Sequence, residues 1–196
     1  MSVDWVVNNA KYEISSKEHL LQIMSEGILY TDTGSPPTDY WSSDYIQTVD
    51  IDLESDANIS PIGTSSEPFT GSYYGSGFSI TDWSYQNASE DNVGLFGYVS
   101  ESTIENVSLE GTWILNGGSQ CGYLVGSCES SSSVHNITAD LSAGSIVGSG
   151  IDIGGLVGSA SASIIEGLTI KGSLSSISGS MHIGGVIGSL VLWVHS

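Results

Sequence analysis

The chain has 196 residues, of which 39% are hydrophobic and only 13% charged. That content suits one domain with a continuous core whose polar surface is carried by Ser, Thr, Asn and Gly, a pattern of strands and turns and not of a helical bundle. Twenty-two acidic residues against Lys11, Lys17 and Lys171, with no arginine, give a formal net charge of −19, which argues against nucleic acid as a partner because phosphate neutralisation needs Lys and Arg.

The start, Met1-Ser2-Val3-Asp4-Trp5, has no basic stretch followed by an apolar run, so no secretory leader is expected in this sequence. Tyr12-Glu13-Ile14 reads as a short strand. Ser15-Ser16-Lys17-Glu18 reads as a capping box, with Ser15 as the N-cap and Glu18 three residues on. Leu20, Leu21, Ile23 and Met24 follow as an apolar face, and Gly27 is the predicted stop. Residues 12–30 are therefore expected to form a strand and a helix that covers the first rung of whatever follows. Thr31 to Ser43, with Pro36-Pro37, reads as a surface loop.

Val49, Ile51 and Leu53 alternate with Asp50, Asp52, Glu54 and Asp56. The four acids form the one constellation that suggests a metal, since clustered carboxylate oxygens can hold calcium. The simpler reading is strand alternation, apolar side chains inward and acids outward, because the row lacks the glycine-turned loop of calcium-binding repeats.

Self-similarity then dominates. Four segments align: residues 92–97 (Asn-Val-Gly-Leu-Phe-Gly), 121–126 (Cys-Gly-Tyr-Leu-Val-Gly), 153–158 (Ile-Gly-Gly-Leu-Val-Gly) and 183–188 (Ile-Gly-Gly-Val-Ile-Gly), their final glycines spaced 29, 32 and 30 residues apart. Seven or eight residues past each of the first three comes a second shared element, at 104–109, 134–139 and 165–170. A unit of this size cannot bury its own apolar face, so stacking on neighbours must supply stability. Within the second element Ile104, Val107 and Leu109 are expected inside and Glu105 and Ser108 outside, with a kink at Asn106. Glycines at the corners are expected to supply positive φ and to let successive coils approach closely.

The Gly-Leu-Phe-Gly and Gly-Gly-Leu-Val-Gly elements, each followed by an Ile-x-Asn-Val type segment, resemble the GLUG-motif repeats of bacterial surface proteins and adhesins. The entry resembles theirs too: Tyr12-Glu13-Ile14, a short helix, residues 49–53, Pro61-Ile62-Gly63 and residues 69–77. The resemblance spans roughly residues 12 to 189 and departs after Gly188, where Leu190-Val191-Leu192-Trp193-Val194-His195-Ser196 replaces the expected strand. It implies an all-β, right-handed parallel β-helix with surface display. Handedness has independent support, since parallel crossovers are right-handed in about 98% of cases. The expected organisation is a single β-solenoid over 1–196, with coils at 44–189 and an apolar tail at 190–196.

The remaining candidates each carry two readings. By repeat alignment Cys121 matches Ile153 and Ile183, and Cys128 matches Val99, Ala160 and Leu190, so buried free thiols are favoured over a disulfide. Asn58, Asn87, Asn106 and Asn136 are glycosylation sequons, but Asn106 and Asn136 share a repeat position that suits a left-handed coil corner. Tyr40, Trp41, Tyr45, Tyr73, Tyr74, Trp83 and Tyr85 either seal the wide end of a core or present a platform for sugars. His19, His135, His182 and His195 are scattered, and neither a catalytic triad spacing nor a motif-paired set of carboxylates emerges. The sequence therefore reads as non-enzymatic, with a polysaccharide-binding or polysaccharide-degrading β-helix as the alternative. The longest apolar run near the end, Gly184 to Val194, is too short for a membrane span.

Leu190, Val191, Leu192, Trp193 and Val194 are the predicted interaction residues: they leave the last coil unfinished, an open edge that invites pairing with a protein partner, a symmetry copy or further chain. Glycans are the second class of partner considered, and calcium the one ion. Taken together the expectation is a rigid structural or adhesive component of an extracellular surface, cell surface or virion.

Overall fold

A computed structural model describes residues 2–53 and 58–191 of the chain. The architecture is a parallel β-solenoid of about 6 turns. It opens with a segment that the sequence did not signal. β1 (Ser2–Trp5) buries Val3 and Trp5 in alternation and pairs in parallel with β4 (Thr31–Gly34), so the predicted loop 31–43 begins as a strand. Between them β2 (Val7–Asn8) turns back through Asn9 and Ala10, both at positive φ, onto β3 (Lys11–Ile14), the only antiparallel pair among the described strands.

The helix α1 (Lys17–Met24) is where the sequence placed it, but its start is not the predicted capping box. The N-cap is Ser16, one residue later, and it makes no side-chain bond to the helix backbone. Its Oγ instead lies 3.0 Å from Nδ1 of His19, whose Nε2 meets the Asp4 carbonyl at 3.0 Å. Adjacent serines allow either register, and the buried histidine selects the second. At the other end the N–H of Glu26 bonds to Ile23 O and that of Gly27 to Gln22 O, a Schellman closure in which Glu26, at φ 51°, takes the left-handed position and the predicted stop Gly27 follows it. Leu20, Leu21, Ile23 and Met24 are buried, as is Gln22. Its amide is satisfied by Tyr30 N–H and O and by Asp32 Oδ1, as a buried polar group requires. Trp41 donates its indole N–H to Ile23 O, tying the loop onto the helix.

The coils follow: β5 (Tyr45–Gln47), β6 (Ile51–Asp52), β7 (Ser72–Tyr74), β8 (Ser79–Thr81), β9 (Ser84–Gln86), β10 (Phe96–Ser100), β11 (Thr103–Glu105), β12 (Ser108–Gly117), β13 (Val125–Glu129), β14 (Ser133–Gly148), β15 (Ile151–Gly154), β16 (Val157–Ser161), β17 (Ile164–Ser178), β18 (Met181–Gly184) and β19 (Ile187–Val191). One ladder runs β3-β5-β7-β11-β14-β17, a second β6-β8-β12-β14-β17 and a third β10-β13-β16-β19, all parallel. Register stacks the interior side chains in columns. Tyr45, Tyr73, Ile104, Val134 and Ile165 form one; Ile51, Ile80, Leu109, Ala139 and Ile170 another; Phe96, Val125, Val157 and Ile187 a third. The first and third columns begin on rings, Tyr45 with Tyr73 and Phe96, and continue in aliphatic side chains, while the second is aliphatic throughout.

The repeated glycines do only half of what was expected. Gly94, Gly97, Gly122, Gly126, Gly154, Gly158 and Gly188 are not at positive φ. The left-handed residue next to each repeated element is instead Asn92, Gln120, Asp152 or His182, at φ 61°, 52°, 62° and 51°, and further left-handed corners fall at Glu101, Asn106, Asn136, Ala162 and Gly167. The glycines serve close approach: a Cβ on Gly158 would stand 2.5 Å from the Gln120 carbonyl carbon and 2.6 Å from Cys121 N, and one on Gly188 2.6 Å from the Asp152 carbonyl carbon. Each closing glycine thus rests on the left-handed corner of the previous coil, a place with no room for a side chain.

Candidate functional site

The acidic row does not assemble as a metal site among the described residues. Asp50 is exposed, and its Oδ1 accepts hydrogen bonds from Ser79 N at 2.8 Å and Ser79 Oγ at 3.1 Å. Asp52 points outward from β6, Ile51 and Leu53 are buried as expected, and Val49 is half-buried; Glu54 and Asp56 lie outside the described residues. No group of three or more His, Cys, Asp or Glu side chains suited to a metal occurs among the described residues.

What Asp50 does is repeated along the solenoid. Asp44 Oδ1 accepts Ser72 N–H, Asp82 Oδ1 accepts Thr112 N–H at 2.6 Å and Asp91 Oδ1 accepts Ser119 N–H at 2.7 Å, each reaching a residue 28 to 30 positions ahead. Asn58 does the same for Gln86 N–H. These acids fasten one coil to the next where the ladder is interrupted; Asp82 sits at the β-bulge between Gly111 and Thr112. A hydrogen bond to a charged group contributes about 1.5–3 kcal/mol. Asp82→Ala is therefore expected to lose about 2–3 kcal/mol, because a left-handed residue (φ 60°) would also lose its preferred side chain, while Asp82→Asn keeps most of the stability. Urea denaturation with calcium and with a chelator would check this, with the loss unchanged by either.

The thiols are free and buried, in the aligned positions: Cys121 bridges to Ile153, and Cys128 stands between Val99 and Ala160. Burial pushes Cys121 from 9.0 up to about 12 and Cys128 up to about 11, and burial likewise raises the buried Tyr45 and Tyr73 hydroxyls. In the unfolded chain these groups ionise first, so the unfolded state holds fewer protons as pH rises. The stabilisation is complete below about pH 8.5 and is lost as pH climbs toward the folded thiol values. Urea midpoints should fall between pH 9 and 11, and Ellman's reagent should find no reactive thiol until the chain unfolds.

Of the two readings of the aromatic cluster, core sealing holds for most of it. Trp41, Tyr45, Tyr73, Trp83 and Tyr85 are buried and Tyr40 and Tyr74 half-buried. Trp83 stacks on Tyr85, Trp83 meets Trp113 edge-on, and Trp113 meets Tyr123. The four sequon asparagines are exposed, with Asn106 and Asn136 at left-handed corners (φ 55° and 56°) as the repeat alignment predicted. Histidines stay apart: His135 Nε2 is 3.0 Å from Glu105 and His182 Nδ1 2.7 Å from Asp152, each joining adjacent coils.

Acids line several surface depressions, two of them about 500 Å³ or more. One, of about 500 Å³, is lined by Glu26, Asp39, Tyr40, Trp41 and Glu67; the Glu26 carboxyl is raised by burial, then by repulsion from Glu67 and Asp39. The other, of about 550 Å³, runs across coils between Asn106, Ser108, Glu110, Asn136, Asp140 and Lys171. There Glu110 and Asp140 are register neighbours on β12 and β14, with Asp140 beside Lys171 on β17.

The last coil is the feature that stands out. Ile153, Leu156, Val157 and Ala160 are wholly buried. Their equivalents one coil on are not: Ile183 is 49% exposed, Val186 36% and Leu190 46%. Val191 is exposed as well; Leu192, Trp193 and Val194 lie outside the described residues. A Cβ on Gly155 would strike the Gly185 carbonyl, whereas one on Gly185 has nothing within 4 Å. β17, β18 and β19 each pair on one side only among the described strands. Sequence reasoning named the tail but missed Ile164, Met181, Ile183 and Val186, all exposed apolar residues of the same end; the signal was there, since the final member of every aligned column has no successor. Comparison with protein-family models, curated proteins and solved structures gives no match. No described helix is long and apolar enough to cross a membrane.

Proposed function

We propose that the chain is a non-enzymatic structural solenoid: a rigid component of an extracellular surface or virion assembly that contacts another protein through its last coil. The observation that carries this is the uncovered end, where Ile183, Val186 and Leu190 repeat an interior pattern without an interior around them. Apolar surface of that kind, beside unpaired strand edges, marks an interaction site. The surface-protein repeats that residues 92–97, 121–126, 153–158 and 183–188 resemble support the same reading. Hydrogen exchange and a hydrophobic dye test it at high dilution. Fast exchange of the β18 and β19 amides with dye bound means an end ready for a partner; protected amides and no dye mean that the chain caps itself, which ends the proposal.

A second reading, polysaccharide binding or cleavage, is favoured by the groove in which Glu110 and Asp140 stand on neighbouring coils among hydroxyl and amide groups. Two facing carboxylates are the requirement for glycoside hydrolysis. Release of reducing ends from a neutral polysaccharide, abolished in Glu110→Gln, would establish it over the first.

A further inference from the structure

The open end makes a choice among partners, and charge decides it. Residues 1–140 hold twenty of the acids against Lys11 and Lys17, net −18, whereas residues 141–196 hold Asp152 and Glu166 against Lys171, net −1. The solenoid is therefore strongly anionic at one end and nearly neutral at the end where apolar side chains are bare. The two ends also differ in their strand edges. At the first coil β3 is already covered by β2 on its outer side, and α1 packs against β1 and β3 with its apolar side chains buried. At the last coil β17, β18 and β19 present free edges among the described strands.

We propose that the last coil is a homodimer interface on which a second copy of this chain docks end to end, last coil against last coil about a two-fold axis. The inference rests on the assembly reading above and names its partner. A head-to-tail arrangement would set the exposed edge against a first coil that β2 already occupies and would place the −18 half of each copy beside its neighbour. The two-fold arrangement instead puts the charged halves at opposite extremes. With coils rising ~4.8 Å each, most of those acids lie two or more coils from the contact, at or beyond the ~8–10 Å over which salt screens charge; Asp140, one coil away, stands beside Lys171 of β17. A two-fold along the normal of one sheet reverses strand direction and keeps that sheet's inward face inward, so the edge strands of two copies meet antiparallel there and the bare apolar side chains of each last coil close over those of the other. The contact is isologous and closes at two copies.

Light scattering of the full chain over a concentration series tests this. The expected result is a mass that rises to twice the monomer and stops there, at lower concentration when salt is added to screen the residual repulsion. Val186→Lys and Met181→Lys, each bringing a lysine from both copies into the apolar contact, should weaken association by more than about tenfold while circular dichroism and the melting temperature of the monomer stay unchanged. Growth beyond a dimer with concentration overturns the two-fold in favour of head-to-tail stacking. A monomer throughout overturns self-association altogether; the exchange and dye measurements then separate an end awaiting a different protein, in which the assembly reading survives, from one capped by its own chain, in which both fall.

Discussion

Val157→Asp is expected to be the most damaging single change in the chain, at about 4 kcal/mol or more. Val157 is wholly buried, with Val125 stacked on one side and Ile187 on the other. A carboxylate there has neither water nor a cation, and an isolated buried charge carries a penalty well above that of a lost methyl group. Since domains of this kind hold only 5–15 kcal/mol in total, the variant should melt on the order of 10 °C lower or fail to fold. Ile187→Asp is the control: the same column and chemistry, but in a half-buried position of the last coil, so a dilute sample should lose less than half as much. Equal losses in a urea titration would show that Ile187 is as well covered as Val157.

The second large effect concerns a single methyl group. Gly158→Ala would put a Cβ 2.5 Å from the Gln120 carbonyl carbon and 2.6 Å from both Cys121 N and Gly126 O. All three are backbone atoms, which cannot swing aside as a side-chain tip can, so two coils would have to part. Overpacking typically costs about 1–3 kcal/mol, and a clash with three main-chain atoms belongs at the top of that range. Gly185→Ala, in the same repeat family, meets nothing within 4 Å and should leave the monomer's thermal midpoint within a degree or so. A loss from Gly158→Ala no larger than from Gly185→Ala would mean that the coils are spaced more loosely than described.

The coils were legible because stacking imposes the same demand at every turn. Cys128 could be placed between Val99 and Ala160 from alignment alone, since this column, from Phe69 to Leu190, takes an apolar side chain at every coil. The corners were harder. Asn106 and Asn136 announce a left-handed backbone, but Gln120 and Ala162 adopt one as well without the short polar side chain that favours it; the stack dictates their conformation, and the glycines nearby draw the expectation away from them. β1 and β4 were missed because Thr31-Asp32-Thr33-Gly34 has no apolar residue and the alternation in β1 is two residues long. Asp50 and Asp52 alternate with buried Ile51 and Leu53 as the pattern predicts, yet the role of aspartate as a fastener between coils needed coordinates, because its acceptor reaches an N–H about thirty residues away and no local pattern encodes that distance.

The one-sided stacking has a mechanical corollary. Parallel coils share hydrogen bonds only with the turn before and the turn after, so tension applied at the C-terminal side loads one rung at a time, as in a zipper, and never the whole ladder at once. The last coil, held along one edge by β14, β15 and β16, should yield first, and each later coil should let go as a discrete step releasing about thirty residues, roughly 100 Å of extended chain. The steps should grow harder toward Trp83, Phe69 and Tyr45, where the interior is aromatic, so a molecule pulled from this end would resist more the further it is unwound.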